Sequence, residues 1–242
     1  MKKIINRIIV CFGVIVLFLV IMAGEFESLK EANYWFDACD YWARGRELWN
    51  EGKFSFLNLG NAFRGYIFPL YLGLCYFVGG DSQGALIFVL LNSLLLSILF
   101  VVVLPRLHEA EEKKQKYFWV HLILFLVMFY GLVRHTLSDL FAVELCMFAI
   151  LLEKNIYVSN SKIKRILKCF LLGILMYWMY NARTIYLFAA IYIFGVFLYH
   201  TKYVNGIKAK FDKVIACIIG IGIAGLPQLY VNYSTFPADI SK

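Results

Sequence analysis

The chain has 242 residues, 62% of them hydrophobic, and its mean hydropathy is +0.71. Soluble domains are only about half apolar, so the composition excludes an ordinary soluble domain and indicates a membrane protein. The net charge of +8 would suit a nucleic-acid-binding protein, but the positive residues form short blocks between apolar runs. That distribution is typical of residues that orient a chain in a membrane.

The apolar runs predict an all-α integral membrane fold with about seven transmembrane helices. Residues 1–23 place three basic residues ahead of an apolar run and are predicted to be a signal anchor that is retained. Six further helices are predicted within residues 83–231. They lie at about Gly84–Leu104, Tyr117–Val133, Leu137–Leu152, Ile166–Tyr180, Thr184–Tyr199 and Val214–Tyr230. Residues 232–242 are expected to be an outer tail that is cut short.

Residues 24–82 are predicted to form the first extracytoplasmic loop, which holds the main concentration of acids in the chain. A helix over about Ala32–Asn50 would place Asp37 and Tyr41 on one face. Its opposite face would carry tryptophans seven residues apart, as suits a juxtamembrane helix in the headgroup layer; these are Trp35, Trp42 and Trp49. The alternative interpretation is a solvated acidic helix.

The apolar run Tyr66–Val78 follows in the same loop. It has only about 13 residues before Gly79-Gly80, which is too short for an ordinary transmembrane helix. We therefore predict an interfacial or re-entrant segment that ends at the two glycines.

The basic residues predict which side of the membrane each loop occupies. If Tyr66–Val78 does not cross, the amino terminus, Pro105–Lys116, Glu153–Lys168 and Tyr199–Lys213 share one side. They contain three, four, five and four Lys or Arg residues, two thirds of the 24 in the chain. That side is therefore the cytoplasm. We predict a multi-pass plasma (inner) membrane protein whose functional site faces the extracytoplasmic side.

Three acids are candidates for chemistry at the outer surface. Asp37 and Asp40 could act as a base on an acceptor or hold a divalent cation. Asp139 follows His135 by four residues in the outer turn before the fourth predicted span, and a charge so near a span is a functional candidate. The alternative for Ser138-Asp139 is a helix cap.

Two arginines are candidates for binding phosphate on the same side. Arg64 precedes the Tyr66–Val78 run and Arg183 lies between the fifth and sixth predicted spans. A guanidinium can hold a phosphate with two hydrogen bonds, although either arginine could instead be a snorkelling cation. Glu144, further into the fourth span, is predicted to pair inside the bundle. The sequence contains no Walker loop, no HExxH motif and no GxGxxG that follows a predicted strand, which disfavours nucleotide-driven or soluble-enzyme chemistry.

Several short motifs follow one another along nearly the whole chain. They are Asp37, Tyr41, Ala43, Glu51-Gly52-Lys53-Phe54, Arg64-Gly65-Tyr66-Ile67-Phe68-Pro69, Phe77-Val78-Gly79-Gly80-Asp81-Ser82, Ser138-Asp139 and Asn181-Ala182-Arg183. Together they resemble the GT-C class of integral membrane glycosyltransferases, which includes protein O-mannosyltransferases and the bacterial aminoarabinose lipid A transferase. The resemblance is to the amino-terminal module of these enzymes.

The resemblance implies an enzyme that moves a sugar, with inversion, from a polyprenyl-phosphate donor to a glycan, lipid or protein acceptor, without nucleic acid. It implies that Asp37 and Asp139 are the catalytic acids, with Asp37 as the general base. It also implies that Arg64 and Arg183 bind the donor phosphate. Asp40, Tyr41 and Tyr66 would be supporting residues. A divalent metal ion held by Asp40 and His135 is left open, because Ala38 stands where many relatives have Glu.

Two other classes of function remain open from the sequence. A transporter or flippase of lipid-linked sugars would carry charges deep within its spans, whereas here the charges cluster near the outer surface, with Glu144 the main exception. A non-catalytic, truncated membrane protein would keep the same topology and would tolerate the loss of Asp37 and Arg64.

Overall fold

The computed structural model describes residues 2–23, 37–49, 52–59, 65–107, 120, 122–127, 137–159, 161–205 and 208–235. These residues are helical apart from short turns, and no strand occurs among them. The helices are α1 (Lys2–Ala23), α2 (Asp37–Glu47), α3 (Ile67–Ile98), α4 (Leu104–Leu107), α5 (Ser138–Ile156), α6 (Lys162–Ala182), α7 (Leu187–Asn205) and α8 (Lys208–Thr235). A 3₁₀ turn at Phe56–Leu59 precedes α3, and a π-helical segment at Leu99–Val103 joins α3 to α4.

The all-α prediction is confirmed over these residues. Three helices are long and apolar enough to cross a membrane, namely Gln83–Leu107, Thr184–Thr201 and Phe211–Ser234. Ile9–Ile21 and Ile67–Gly80 are shorter apolar helices. Of the predicted third span only residues 120 and 122–127 are described, so the total of seven spans stays a prediction.

Helix α3 is interrupted at Gly80, where φ is 62° and ψ is −164°. Because this left-handed φ is costly for residues with a side chain, glycine permits the break. The chain then folds back, since Tyr71 packs edge-on against Phe88 with ring centroids 5.8 Å apart. The predicted end of the apolar run at Gly79-Gly80 is confirmed, and the run forms the first arm of a helical hairpin.

The chain divides into two compact units. Unit 1 comprises Met1–Gly52 and Pro69–Leu140, and unit 2 comprises Lys53–Phe68 and Phe141–Lys242. In unit 1 the ring of Phe100 lies 5.9 Å from that of Phe18 and 4.9 Å from that of Phe125, measured between centroids. These three rings form an aromatic core that joins α1 to the end of α3 and to residues 122–127.

The centre of unit 2 is the close pairing of α6 with α8. Gly173 approaches the backbone of Cys217, and Gly220 approaches the backbone of Phe170. Further along, Tyr177 packs over Gly225. Lys162 pairs with Asp212 near the start of both helices, and Asn181 bonds to Gln228 near their ends. Helices α6 and α8 are therefore parallel, and their amino-terminal ends lie at the same end of the pair.

Candidate functional site

The first of two polar clusters lies in unit 1 and joins two acid-bearing helices. The Ser138 hydroxyl donates a hydrogen bond to the Tyr41 hydroxyl oxygen at 3.1 Å, and both residues are buried. Tyr41 is in the second turn of α2 and Ser138 begins α5. The contact therefore links two segments that are 97 residues apart in sequence.

Three predicted site acids lie in the first turns of these helices. Asp37 and Asp40 are in the first turn of α2, and Asp139 is in the first turn of α5. Carboxylates are favoured there because the helix amino terminus carries a partial positive charge. The structure thus brings the acidic turn of α2, through Tyr41, to the helix end that carries Asp139.

The orientation of α2 differs from the predicted one. Trp42 was expected in the headgroup layer but is only 4% exposed, and Trp49 stacks on Phe77 with ring centroids 4.1 Å apart. The reason is a close backbone approach, because a Cβ on Gly45 would lie 2.9 Å from the nitrogen of Gly73. The prediction of a tryptophan face in the headgroup layer is therefore wrong for Trp42, while Trp35 lies outside the described residues.

Only one of the two predicted metal ligands can be placed. Asp40 forms an ion pair with Arg44, with Nε and Oδ2 3.0 Å apart, and the other proposed ligand, His135, lies outside the described part of the chain. No group of three His, Cys, Asp or Glu side chains suited to a metal occurs within the residues described. The ion pair with Asp40 holds the Arg44 guanidinium on α2.

The second polar cluster lies in unit 2 and centres on Asn181, at the end of α6. Its Oδ1 accepts a hydrogen bond from the Ile67 N–H at 2.9 Å, and its Nδ2 donates to Gln228 Oε1 at 3.1 Å. Gln228 in turn donates to Asn232 Oδ1 at 3.0 Å. This chain of amides runs from the buried start of α3 to the exposed side chain of Asn232 on α8.

Tyr66 completes this cluster. Its hydroxyl donates to the backbone oxygen of Ala224 at 2.6 Å and accepts from Trp178 Nε1 at 3.1 Å. Burial raises the pKa of Tyr66 to about 12, with the Trp178 hydrogen bond acting in the opposite direction. The phenol is therefore neutral at physiological pH and acts as a hydrogen-bonding group.

The two predicted phosphate ligands differ in what the structure shows of them. Arg183 is half-buried and ends α6, where its N–H donates to the Met179 oxygen at 3.1 Å. Arg64 lies outside the described residues. Its neighbour Gly65 packs directly on Asn181, two residues before Arg183, so the segment that follows Arg64 contacts the segment that carries Arg183.

Glu144 departs from its predicted pairing inside the bundle. It is 1% exposed, and neither carboxylate oxygen has a hydrogen-bond partner within the described residues. Its prediction as a paired acid is therefore wrong over this part of the chain. A buried carboxylate without hydrogen-bond donors is costly to ionise.

Sequence reasoning missed the amides and the indole of the second cluster. The motif that points to Arg183 contains Asn181 only as its neighbour, and no pattern in the sequence singles out Trp178 or Gln228. The sequence does contain one signal for this cluster, an amide near the carboxyl-terminal end of each of two apolar helices, Asn181 on α6 and Gln228 on α8. Buried amides need hydrogen-bond partners, so two such amides can be expected to bond to each other.

The described residues thus belong to an all-helical protein with three helices of membrane-spanning length. No protein-family model, curated protein or solved structure matches this chain significantly.

Proposed function

We propose that the protein is a membrane glycosyltransferase that moves a sugar from a polyprenyl-phosphate donor to an acceptor at the outer face of the membrane. The observation that carries the proposal is the hydrogen bond from Ser138 to Tyr41. It joins the helix that bears Asp37 to the helix end that bears Asp139, the two segments to which the resemblance assigns the catalytic acids.

In the proposed reaction, Asp37 accepts the proton of the attacking acceptor hydroxyl. The acceptor oxygen forms a bond to the anomeric carbon, and the bond from that carbon to the phosphate oxygen breaks on the opposite face. The configuration is inverted and polyprenyl phosphate leaves with the bonding electron pair. Asp139 orients the acceptor, while Tyr41 positions the turn that holds Asp37.

Arg183 and Arg64 neutralise the charge that develops on the departing phosphate. A fixed cation stabilises such charge most effectively in a poorly hydrated site, and half-burial of Arg183 on its helix end supports this role. The contact of Gly65 with Asn181 supports assigning both arginines to one phosphate.

Transfer itself can be tested with the intact chain in proteoliposomes. A panel of polyprenyl-phosphate sugars is incubated with the protein and with envelope acceptors, and the release of polyprenyl phosphate is measured. We expect Asp37→Asn to reduce release by about 10²- to 10⁴-fold, as removal of a general base does. Glu47→Gln is the control, since Glu47 is an exposed acid at the end of the same helix, and we expect a much smaller loss.

Donor binding can be tested without knowing the sugar or the acceptor. We expect the detergent-purified protein to prefer polyprenyl phosphate to uncharged polyprenol, and expect Arg183→Ala or Arg64→Ala to weaken phosphate binding about tenfold or more, as loss of a charged hydrogen bond does. Arg106→Ala is the control, because Arg106 is an exposed arginine at the end of α4. Equal binding of the two lipids would favour a non-catalytic membrane protein.

Glu144 favours a second candidate function, a transporter or flippase of lipid-linked sugars. A buried carboxylate inside an apolar helix is costly and often marks a transport path in membrane proteins. Flux of lipid-linked sugar across vesicles, with no transfer to any acceptor, would favour this second function over glycosyl transfer.

A further inference from the structure

The far end of unit 2 holds a second charged region, at the amino-terminal ends of α6 and α8. Arg165 lies about 24 Å along α6 from Asn181, at 1.5 Å per residue. Lys213 is on the neighbouring first turns of α8, and the carboxyl-terminal end of α7 reaches the same place, because the Tyr157 hydroxyl lies 3.0 Å from Thr201 Oγ1. This region is separate from the Asn181 cluster.

Lys213 is the unusual residue of this region. It is only 5% exposed, and its Nζ is buried with no hydrogen-bond partner among the described residues. A lysine at the end of a membrane helix normally extends its amine to water, yet here the amine lies over the Tyr157 ring, 5.9 Å from its centroid. Burying an ammonium group without an acceptor is costly.

The surrounding charges increase that cost. Arg165 lies one turn after Lys162, whose amine pairs with Asp212 next to Lys213, so the positive charges of Arg165 and Lys213 are near enough to repel each other. The buried acid of this region, Glu153, is held by His200, whose Nδ1 lies 2.8 Å from Glu153 Oε1. The region therefore holds two adjacent cations, while its buried carboxylate is already hydrogen-bonded elsewhere.

Two other lysines at this end have partners. Lys168 Nζ donates to the Asn155 oxygen at 2.6 Å, and Lys162 pairs with Asp212 at 2.9 Å. In addition, Ser161 precedes α6 without a side-chain hydrogen bond to the helix end. The first N–H groups of a helix, together with its dipole, favour an anion placed there.

We propose that Lys213 and Arg165, with the amino-terminal ends of α6 and α8, bind the phosphate group of an anionic molecule. An anion between the two cations would supply the missing acceptor and remove their repulsion. Large apolar side chains on the same turns are strongly exposed, which favours a phosphate that is part of a lipid; these are Ile163, Leu167, Phe211 and Ile215, at 78, 53, 71 and 46% exposure.

The test measures the Tm of the full chain in detergent with three probes. Dioctanoyl phosphatidic acid supplies a phosphate with acyl chains, dioctanoylglycerol supplies the chains alone, and inorganic phosphate supplies the anion alone at constant ionic strength. We expect phosphatidic acid to raise the Tm by roughly 5 °C or more at about a hundredfold excess over its Kd, and dioctanoylglycerol to have no effect.

Two variants then locate the site. We expect Lys213→Met to abolish the phosphate-dependent shift while leaving the Tm without ligand equal or higher, because an uncompensated buried charge has been removed. Lys164→Met is the control, since Lys164 is an exposed lysine in the first turn of α6. If Lys213→Met does not fold, Arg165→Gln provides the same test and should reduce the shift at least several-fold.

The outcomes separate the sources of the phosphate. A shift with phosphatidic acid alone assigns the site to a lipid headgroup, and an equal shift with inorganic phosphate assigns it to free phosphate. The proposal fails if neither anion raises the Tm, if dioctanoylglycerol acts as well as phosphatidic acid, or if Lys164→Met loses as much of the shift as Lys213→Met. None of these results depends on glycosyl transfer.

Discussion

At the scale of single residues, one side-chain amide joins three elements of unit 2. Asn181, at the end of α6, accepts the Ile67 N–H at the start of α3 and donates to Gln228 on α8. We expect Asn181→Ala to lower the free energy of unfolding by about 1–3 kcal/mol, because it leaves a buried N–H without an acceptor. Thermal unfolding of the detergent-purified protein measures this loss.

Asn155 provides the matched control for this substitution. Its Nδ2 donates to the Leu151 oxygen within its own helix, so Asn155→Ala removes an amide without separating two elements. We expect a change of about 0.5 kcal/mol or less, as for most substitutions away from buried networks. Equal losses from the two variants would contradict the joining role of Asn181.

The Asn181 network also shows what residue types alone could and could not predict. Asn181 and Tyr66 belong to motifs that the sequence singled out, and both are buried, hydrogen-bonded residues of one cluster. Their partners are 114 and 158 residues away in sequence. No local spacing encodes such pairs, because the packing of distant helices decides them.

At the scale of elements, the contact between α6 and α8 depends on two glycines that allow the backbones to approach. A Cβ on Gly173 would overlap the Cys217 oxygen, and one on Gly220 would overlap the Phe170 oxygen. We expect Gly173→Ala or Gly220→Ala to lower the free energy of unfolding by about 1–3 kcal/mol, since overpacking forces the helices apart. Denaturant titration in mixed micelles can measure the loss.

Gly222 is the control within the same helix. A Cβ there would meet nothing within 4 Å, so Gly222→Ala should be neutral or stabilising by up to about 1 kcal/mol, the difference in helix propensity between alanine and glycine. A destabilisation by Gly222→Ala as large as that from Gly220→Ala would show that the cost arises within the helix and not at the contact.

The sequence predicted these helices better than it predicted their faces. Apolar runs located the central parts of α3 and α5 to α8, because burial in lipid or protein demands the same composition. The faces on which α6 and α8 pack closely are marked instead by small residues spaced four apart. These are Cys169 and Gly173 on α6 and Ala216, Gly220 and Ala224 on α8. The tryptophans of α2 did not predict their surroundings correctly, because an indole suits both the headgroup layer and a groove in a protein.

At the scale of the whole molecule, the remaining question is which loops share a side of the membrane. Helices α6 and α8 are parallel, and α7 returns between them, since Tyr157 near the start of α6 bonds to the Phe197 oxygen on α7. If α6, α7 and α8 each cross the membrane, reporters inserted after Asn160 and after Asn205 must score on the same side. That expectation follows from helix direction and not from charge.

The distribution of basic residues predicts which side of the membrane these loops occupy. We expect reporters after Lys116, Asn160 and Asn205 to score cytoplasmic, because Lys and Arg of short loops are retained there, and a reporter after Ser234 to score extracytoplasmic. An extracytoplasmic score after Lys116, with cytoplasmic scores after Asn160 and Asn205, would mean that an odd number of crossings separates Lys116 from Asn160. The seven-span topology would then have to be abandoned, and Asp37 and Asp139 could share the outer side only if Ile67–Gly80 crosses the membrane and the predicted span Tyr117–Val133 does not.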